Sequence, residues 1–497
     1  MDTLDLLLHG FGTALSLENL LYAFVGCIMG MVVGVLPGLG PVSATAILIP
    51  LTFHLSQAGS IIMLSAIYYG AMYGGTITSV LMNIPGETAS VITCIDGYQM
   101  ARRGRAGTAL SISAIGSFIG GTFAVMGLVV AGPVLARKAL EFGPPDLFGM
   151  MILGLSLIMG LAGKSLVKGL MMGMLGIFLS MIGMETGEGI PRFTFDSLQL
   201  MRGLDFIAIL IGLFGVSEIL LNAENPEYSM TDTKMNSLIP SAKDLKDSIM
   251  PIARGSVLGF LLGIVPGLGA AVPTIISYTI EKKVSKHPEK FGSGAIEGVA
   301  GPETANNSYA NGAFIPLLTL GIPSSPTVAV LMGALMMHGV TPSPLLFRDH
   351  APLVWTLIAS MYIGNVILLV LNLPLIRIWV SILRIPYAIL FTLILLFAVV
   401  GAYSLNNQVF DVGVMIVFGM LGYILKKLDF PLAPLALTLI LGPIMENSLR
   451  QSMQMSQGSF SIFLHNPLAM VFLVLALLVL ITTGFGWARD ARRDAEI

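Results

Sequence analysis

Apolar runs of about twenty residues recur along the chain between short polar breaks, each long enough to cross the hydrocarbon core of a bilayer as a helix. Backbone polar groups in lipid must be satisfied within their own segment, and evenly alternating strands of about ten residues are absent, so helices are the plausible spans. The pattern predicts an all-α polytopic membrane protein with about 12 transmembrane or re-entrant helices. Two of the runs are interrupted where an unbroken helix is expected, by Gly34-Val35-Leu36-Pro37-Gly38-Leu39-Gly40 and by Gly263-Ile264-Val265-Pro266-Gly267-Leu268-Gly269. The same helix breaker therefore stands twice, in corresponding places of two halves, as in secondary transporters built from repeats.

The duplication continues in the same order. Asn83-Ile84-Pro85-Gly86-Glu87 matches Gly321-Ile322-Pro323-Ser324-Ser325, and Gly173-Met174-Leu175-Gly176 matches Gly419-Met420-Leu421-Gly422. Basic residues, which cytoplasmic loops retain, alternate between the halves. Residues 51–60 hold none, while the equivalent second-half stretch has Lys282, Lys283, Lys286 and Lys290; after the second motif the first half has Arg102, Arg103 and Arg105 against Arg348 alone. Lys164 and Lys168 against none in residues 405–410 reverse the bias again. The predicted architecture is two inverted-topology repeats with Pro-Gly-broken helices: residues 1–222, a cytoplasmic linker 223–252, the inverted repeat 253–448, and a terminal transmembrane helix with a short cytoplasmic tail, 449–497. The N-terminus, without a basic signal region, is read as retained and facing away from the cytoplasm, and Arg489, Arg492 and Arg493 place the C-terminus inside. Arg137 and Lys138 fall outside in this scheme, against the rule.

Composition agrees: of 497 residues 55% are hydrophobic and 11% charged, too few for soluble domains. A net charge of −2 gives no case for nucleic acid. Cys27 and Cys94 lie in apolar surroundings without metal-ligand spacing and read as small packed side chains. There is no His-Glu-x-x-His, no Walker loop and no full dinucleotide fingerprint, so neither an enzyme nor a resident cofactor or metal is expected.

The candidate chemistry lies at the breaks. Pro37 removes a donor, and Gly38 and Gly40 admit backbone closed to other residues, so the helix breaks or re-enters there. A new helix near Pro41 would present free N–H groups and its positive dipole end, with Ser43 and Thr45 on its first turn, as a site for a carboxylate. Pro266, Gly267, Gly269 and Thr274 repeat this in the second half. The competing reading of any single Pro-Gly is a packing kink. A second cluster, Glu303, Asn306, Asn307 and Asn311, is costly in lipid unless it faces a cavity or partner; Glu87 and Thr88 form a smaller one. With no Lys or Arg before Arg102 or between Lys290 and Arg348, an anion would be met by helix ends, amides and a co-bound Na+ or proton. Glu87, Thr88, Glu303 and Ser324 are the coupling-ion candidates, Glu87 and Glu303 standing also as possible interfacial helix caps.

Residues 84–91, with Asp96-Gly97-Tyr98 and Ala101-Arg102-Arg103-Gly104-Arg105-Ala106-Gly107, resemble the large membrane subunit of tripartite tricarboxylate transporters. So does the run from Gly294 through Gly301-Pro302-Glu303 and Asn306-Asn307 to Leu320-Gly321-Ile322-Pro323. The resemblance covers nearly the whole chain. It implies a bacterial inner-membrane importer of small carboxylates, citrate being the namesake, driven by an ion gradient; in such a membrane the N-terminus read above as facing away from the cytoplasm is periplasmic. It further implies a small four-helix membrane subunit and a periplasmic substrate-binding protein as partners. Departures from the family pattern at Thr88 and Ser324 leave the substrate open. A stand-alone carrier, or an intramembrane enzyme using Glu87 or Glu303 as acid or base, remain as alternatives.

Overall fold

The computed structural model describes residues 3–36, 38–161, 165–185, 189–224, 239–382 and 387–495. The first half runs α1 (Thr3–Ala14), α2 (Leu17–Gly34), α3 (Gly40–Leu48), α4 (Gln57–Met82), α5 (Val91–Arg102), α6 (Ala106–Ala139), α7 (Pro144–Leu161), α8 (Leu166–Ser180) and α9 (Phe206–Glu224). Helix α9 carries a π-helical stretch at Ile211–Val216. A two-residue ribbon, Gly183–Met184 (β1) against Pro191–Arg192 (β2), precedes α9. The second half runs α10 (Ala242–Gly263), α11 (Ala271–Val284), α12 (Glu297–Gly312), α13 (Phe314–Leu320), α14 (Pro326–Met337), α15 (Ala351–Asn372), α16 (Ile376–Ile382), α17 (Tyr387–Asn406), α18 (Val409–Lys427), α19 (Leu432–Met455) and α20 (Pro467–Ala495). Helix α10 starts within the stretch read as linker, because Ser241 and Asp244 close a capping box on its first turn.

Among the described residues eight helices are long and apolar enough to cross a membrane: α2, α4, α6, α9, α15, α18, α19 and the Pro467–Gly484 part of α20. Shorter apolar helices, among them α3, α7, α8 and α14, accompany them. Helix α12, 16 residues long and carrying Glu303, Thr304, three Asn and Ser308, falls outside this set, yet every residue from Gly298 to Gly312 is buried. Together with α4, buried from Gly59 to Met82, it forms the centre of the bundle.

Each half packs its broken helix on its central helix in the same way. Gly26, Gly30 and Gly34 of α2 lie so close to α4 that an added Cβ would strike the carbonyl oxygens of Met63, Ile67 and Ala71. Gly255, Gly259 and Gly263 of α10 stand likewise against the carbonyls of Gly301, Ala305 and Tyr309 on α12. Glycine at every fourth position lets two backbones approach until dispersion contacts hold them, which in lipid replaces the missing hydrophobic drive.

The breaks follow where these contacts stop. Gly38 and Gly40 take φ of 85° and 60°, and Gly267 and Gly269 take 84° and 68°. At the second pair of breaks, Asn83 ends α4 at φ 59° and Gly321 ends α13 at 66°. These left-handed residues stop each helix and turn the chain into the next.

The halves also interlock. The Gly419 and Gly422 motif of α18 packs on Val216 and Leu213 of α9, while Gly176 of α8 packs on Leu435 and Thr438 of α19. Three backbone amides of the loop after α11, those of Gly292, Gly294 and Ala295, donate to Asp96 of α5 at 2.9, 2.6 and 2.9 Å. Reciprocally, Gln57 at the start of α4 donates to the carbonyl of His338, just past α14, at 2.7 Å.

Candidate functional site

All four breaks meet around one cavity of about 630 Å3, whose wall includes residues 38–43, 85–88, 267–272 and 324–327. Four helix N-termini stand at that wall: α3, α11, α14 and the single turn Thr88–Ser90 that leads into α5. Two of them are closed by their own sequence. Ser325 accepts from the Val328 amide at 3.3 Å, and the Glu87 amide donates to Ser90 Oγ at 3.2 Å within a capping box. The other two, α3 after Leu39 and α11 after Ala270, have no side-chain cap. Their first-turn amides are the orphan donors that bind anions at helix starts. The two Pro-Gly motifs therefore contribute backbone donors and the two Ile-Pro motifs contribute side chains.

The sequence candidates separate into those at the wall and those behind it. Gly38, Gly40, Ser43, Gly267, Gly269, Glu87, Thr88 and Ser324 line the cavity. Ser43 donates to the Phe214 carbonyl at 2.8 Å, and Ser324 Oγ is buried with no partner among the described residues. Thr45 and Thr274 do not reach the wall: they donate to Pro41 and Ala271 of their own helices, both at 2.8 Å. Pro266 lies beside Gly154 rather than in the cavity, and Pro37 lies outside the described residues.

Behind the wall, α12 carries a continuous polar layer. Asn306 donates to Glu87 Oε1 at 3.1 Å, joining the layer to the cavity. Asn307 donates to Ser117 Oγ at 2.7 Å and Asn311 to the Asn307 carbonyl at 2.9 Å, while the Oδ1 atoms of all three amides have no partner among the described residues. Glu303 accepts from Thr76 at 2.7 Å and from Thr93. Among the described residues no Lys or Arg forms an ion pair with Glu87 or Glu303. A buried carboxylate, Glu303, and a half-buried one at the wall, Glu87, ringed by hydroxyls and amides and without a fixed cation, can hold a proton or a small hard cation.

Sequence reasoning missed the charged pair at the cavity. Lys426 Nζ donates to Glu218, and both line the wall with Phe214 and Phe430. Glu218 stands alone in the apolar run of α9, a signal that it needed a partner. Lys426 ends an apolar helix, and only the fold brings it to the cavity wall. Thr76 and Thr93 carried no such signal in a chain rich in hydroxyls.

Broken helices paired around a shared cavity, apolar over most of its wall with a few convergent polar groups, define a helical membrane protein of the secondary-transporter kind. The chain belongs to the tripartite tricarboxylate transporter TctA family, whose profile matches residues 20–437. A protein of Agrobacterium vitis described as an uncharacterized 52.8 kDa protein in the TAR-I ttuC' 3' region is 47% identical over 96% of this chain and 95% of its own. A second protein of that organism, described as uncharacterized in the TAR-II ttuC' 3' region, is 50% identical over 45% of this chain and 92% of its own. No solved structure matches significantly.

Proposed function

We propose that this chain is the translocating subunit of a binding-protein-dependent importer of small carboxylates, citrate or another tricarboxylate or dicarboxylate, driven by a Na+ or proton gradient. The observation that carries this reading is the convergence of four chain breaks on one cavity with two uncapped helix starts, one from each half. A substrate carboxylate accepts from the first-turn amides of α3 and α11, the helices that start just after the left-handed turns at Gly38, Gly40, Gly267 and Gly269. The coupling ion occupies the layer of Glu303, Thr76 and Thr93, next to Glu87 and Asn306, where a carboxylate lacking a cation costs about 2.5–3.5 kcal/mol in a membrane interior.

In this reading the halves are inverted repeats and exchange access by moving against each other. The support is that Lys168, in the first turn of α8, donates to the Leu428 carbonyl just past α18, at 2.6 Å. The matching helices α8 and α18 thus lie with the start of one beside the end of the other, as inversion requires. The protein sits in the bacterial inner membrane with its N-terminus periplasmic and C-terminus cytoplasmic, beside a small four-helix subunit, and receives substrate from a periplasmic binding protein.

The test is uptake of labelled citrate by proteoliposomes holding this chain and its small membrane partner, with and without the binding protein, under imposed Na+ or proton gradients. Gradient-driven uptake that requires the binding protein is the expected result. Uptake without the binding protein would favour a stand-alone carrier, and turnover of a substrate in detergent would favour an enzyme.

A further inference from the structure

The ion pair at the cavity wall is placed for more than joining two helices. Lys426 is the one Lys or Arg among the described residues lining the cavity, with its side chain 24% exposed, and Glu218 beside it is 16% exposed. The pair bridges α9 of the first half and α18 of the second. Glu218 also reaches the first Pro-Gly loop: a Cβ on Gly38 would strike its Oε1. An internal carboxylate therefore rests at the broken-helix loop and on the cavity's cation at once. That is the position a distal carboxylate of a bound substrate would take.

We propose that Lys426 is a second anion-binding group of the cavity and that Glu218 occupies it until a substrate with two or more carboxylates displaces it. This rests on the carboxylate reading above. One substrate carboxylate takes the uncapped amides of α3 and α11; another takes Lys426, and Glu218 is released toward Asn222, whose Nδ2 already lies 3.5 Å from its Oε1. A monocarboxylate satisfies the helix ends but leaves Lys426 with Glu218. Selection for a second carboxylate thus comes from exchange of one ion pair for another. A cavity of about 630 Å3 accommodates citrate.

The experiment measures binding of butyrate, succinate and citrate to the purified full chain in lipid nanodiscs, comparing wild type with Lys426→Gln, Lys426→Arg and Glu218→Gln. Succinate and butyrate differ by one carboxylate at equal chain length. Lys426→Gln is expected to weaken succinate and citrate at least about tenfold, the scale of a charged hydrogen bond, with butyrate unchanged. Lys426→Arg restores part of that loss, and Glu218→Gln, which removes the competitor, tightens succinate and citrate. Equal weakening of all three ligands by Lys426→Gln, or no tightening in Glu218→Gln, overturns the exchange and leaves a structural clip. If Lys426→Gln fails to fold, the Arg and Glu218→Gln arms decide alone. A wild type that binds citrate without preferring it over butyrate overturns this inference only; a wild type that binds no carboxylate overturns the carboxylate reading with it.

Discussion

At the scale of single residues, the same amino acid does different work depending on what faces it. Gly30 meets the Ile67 carbonyl with no room for a Cβ, whereas Gly12 on α1 has open space. Gly30→Ala is expected to lower stability by about 1–3 kcal/mol through overpacking. Gly12→Ala is expected to be neutral or to stabilise by roughly 0.5–1 kcal/mol; thermal unfolding in detergent separates the two. Glu303→Gln keeps shape and one acceptor for Thr76 and Thr93 but removes the charge. It is expected to leave carboxylate binding intact while abolishing accumulation against a gradient, read as uptake under an imposed ion gradient beside equilibrium binding. Retained accumulation would take Glu303 off the coupling path.

At the scale of elements, the breaks can be tested against ordinary glycine strain. Gly38 and Gly267 combine positive φ with contacts to Glu218 and to Ile158 and Gly154, whereas Gly269 has positive φ and open space. Valine at Gly38 or Gly267 is expected to abolish uptake while membrane insertion persists. Gly269→Ala is expected to cost only about 1–2 kcal/mol of left-handed strain and to keep measurable uptake. Undiminished uptake in both valine variants would remove the broken helix from the site. The breaks were legible because Pro and Gly act locally, and their pairing was legible because the motif recurs. The split between capped and uncapped starts was not, since Thr45, Thr274 and Ser325 are all hydroxyls near a helix start. Which of them caps, bonds its own helix or reaches the cavity depends on rotation about the axis. Lys426 was hidden for the same reason: its distance from Glu218, 208 positions along the chain, exists only after the halves interlock.

At the scale of the whole molecule, inversion predicts opposite exposure for the loops after α3 and α11. In a background lacking Cys27 and Cys94, a single cysteine replacing His54 is expected to react with an impermeant thiol reagent from the periplasmic side. One replacing Lys286 is expected to react from the cytoplasmic side; labelling of both from one side would mean parallel repeats. The interlocking also has a consequence for how the protein is made. Asp96 finds its amide partners 196–199 residues later in the chain, and Gln57 reaches His338 after 281. At about 5–20 residues per second of translation, the first half spends roughly 10–60 s in the membrane with those groups unanswered. Nascent chains stalled before the second half should therefore be prime targets for membrane proteases, and two separately encoded halves should accumulate only when both are synthesised together.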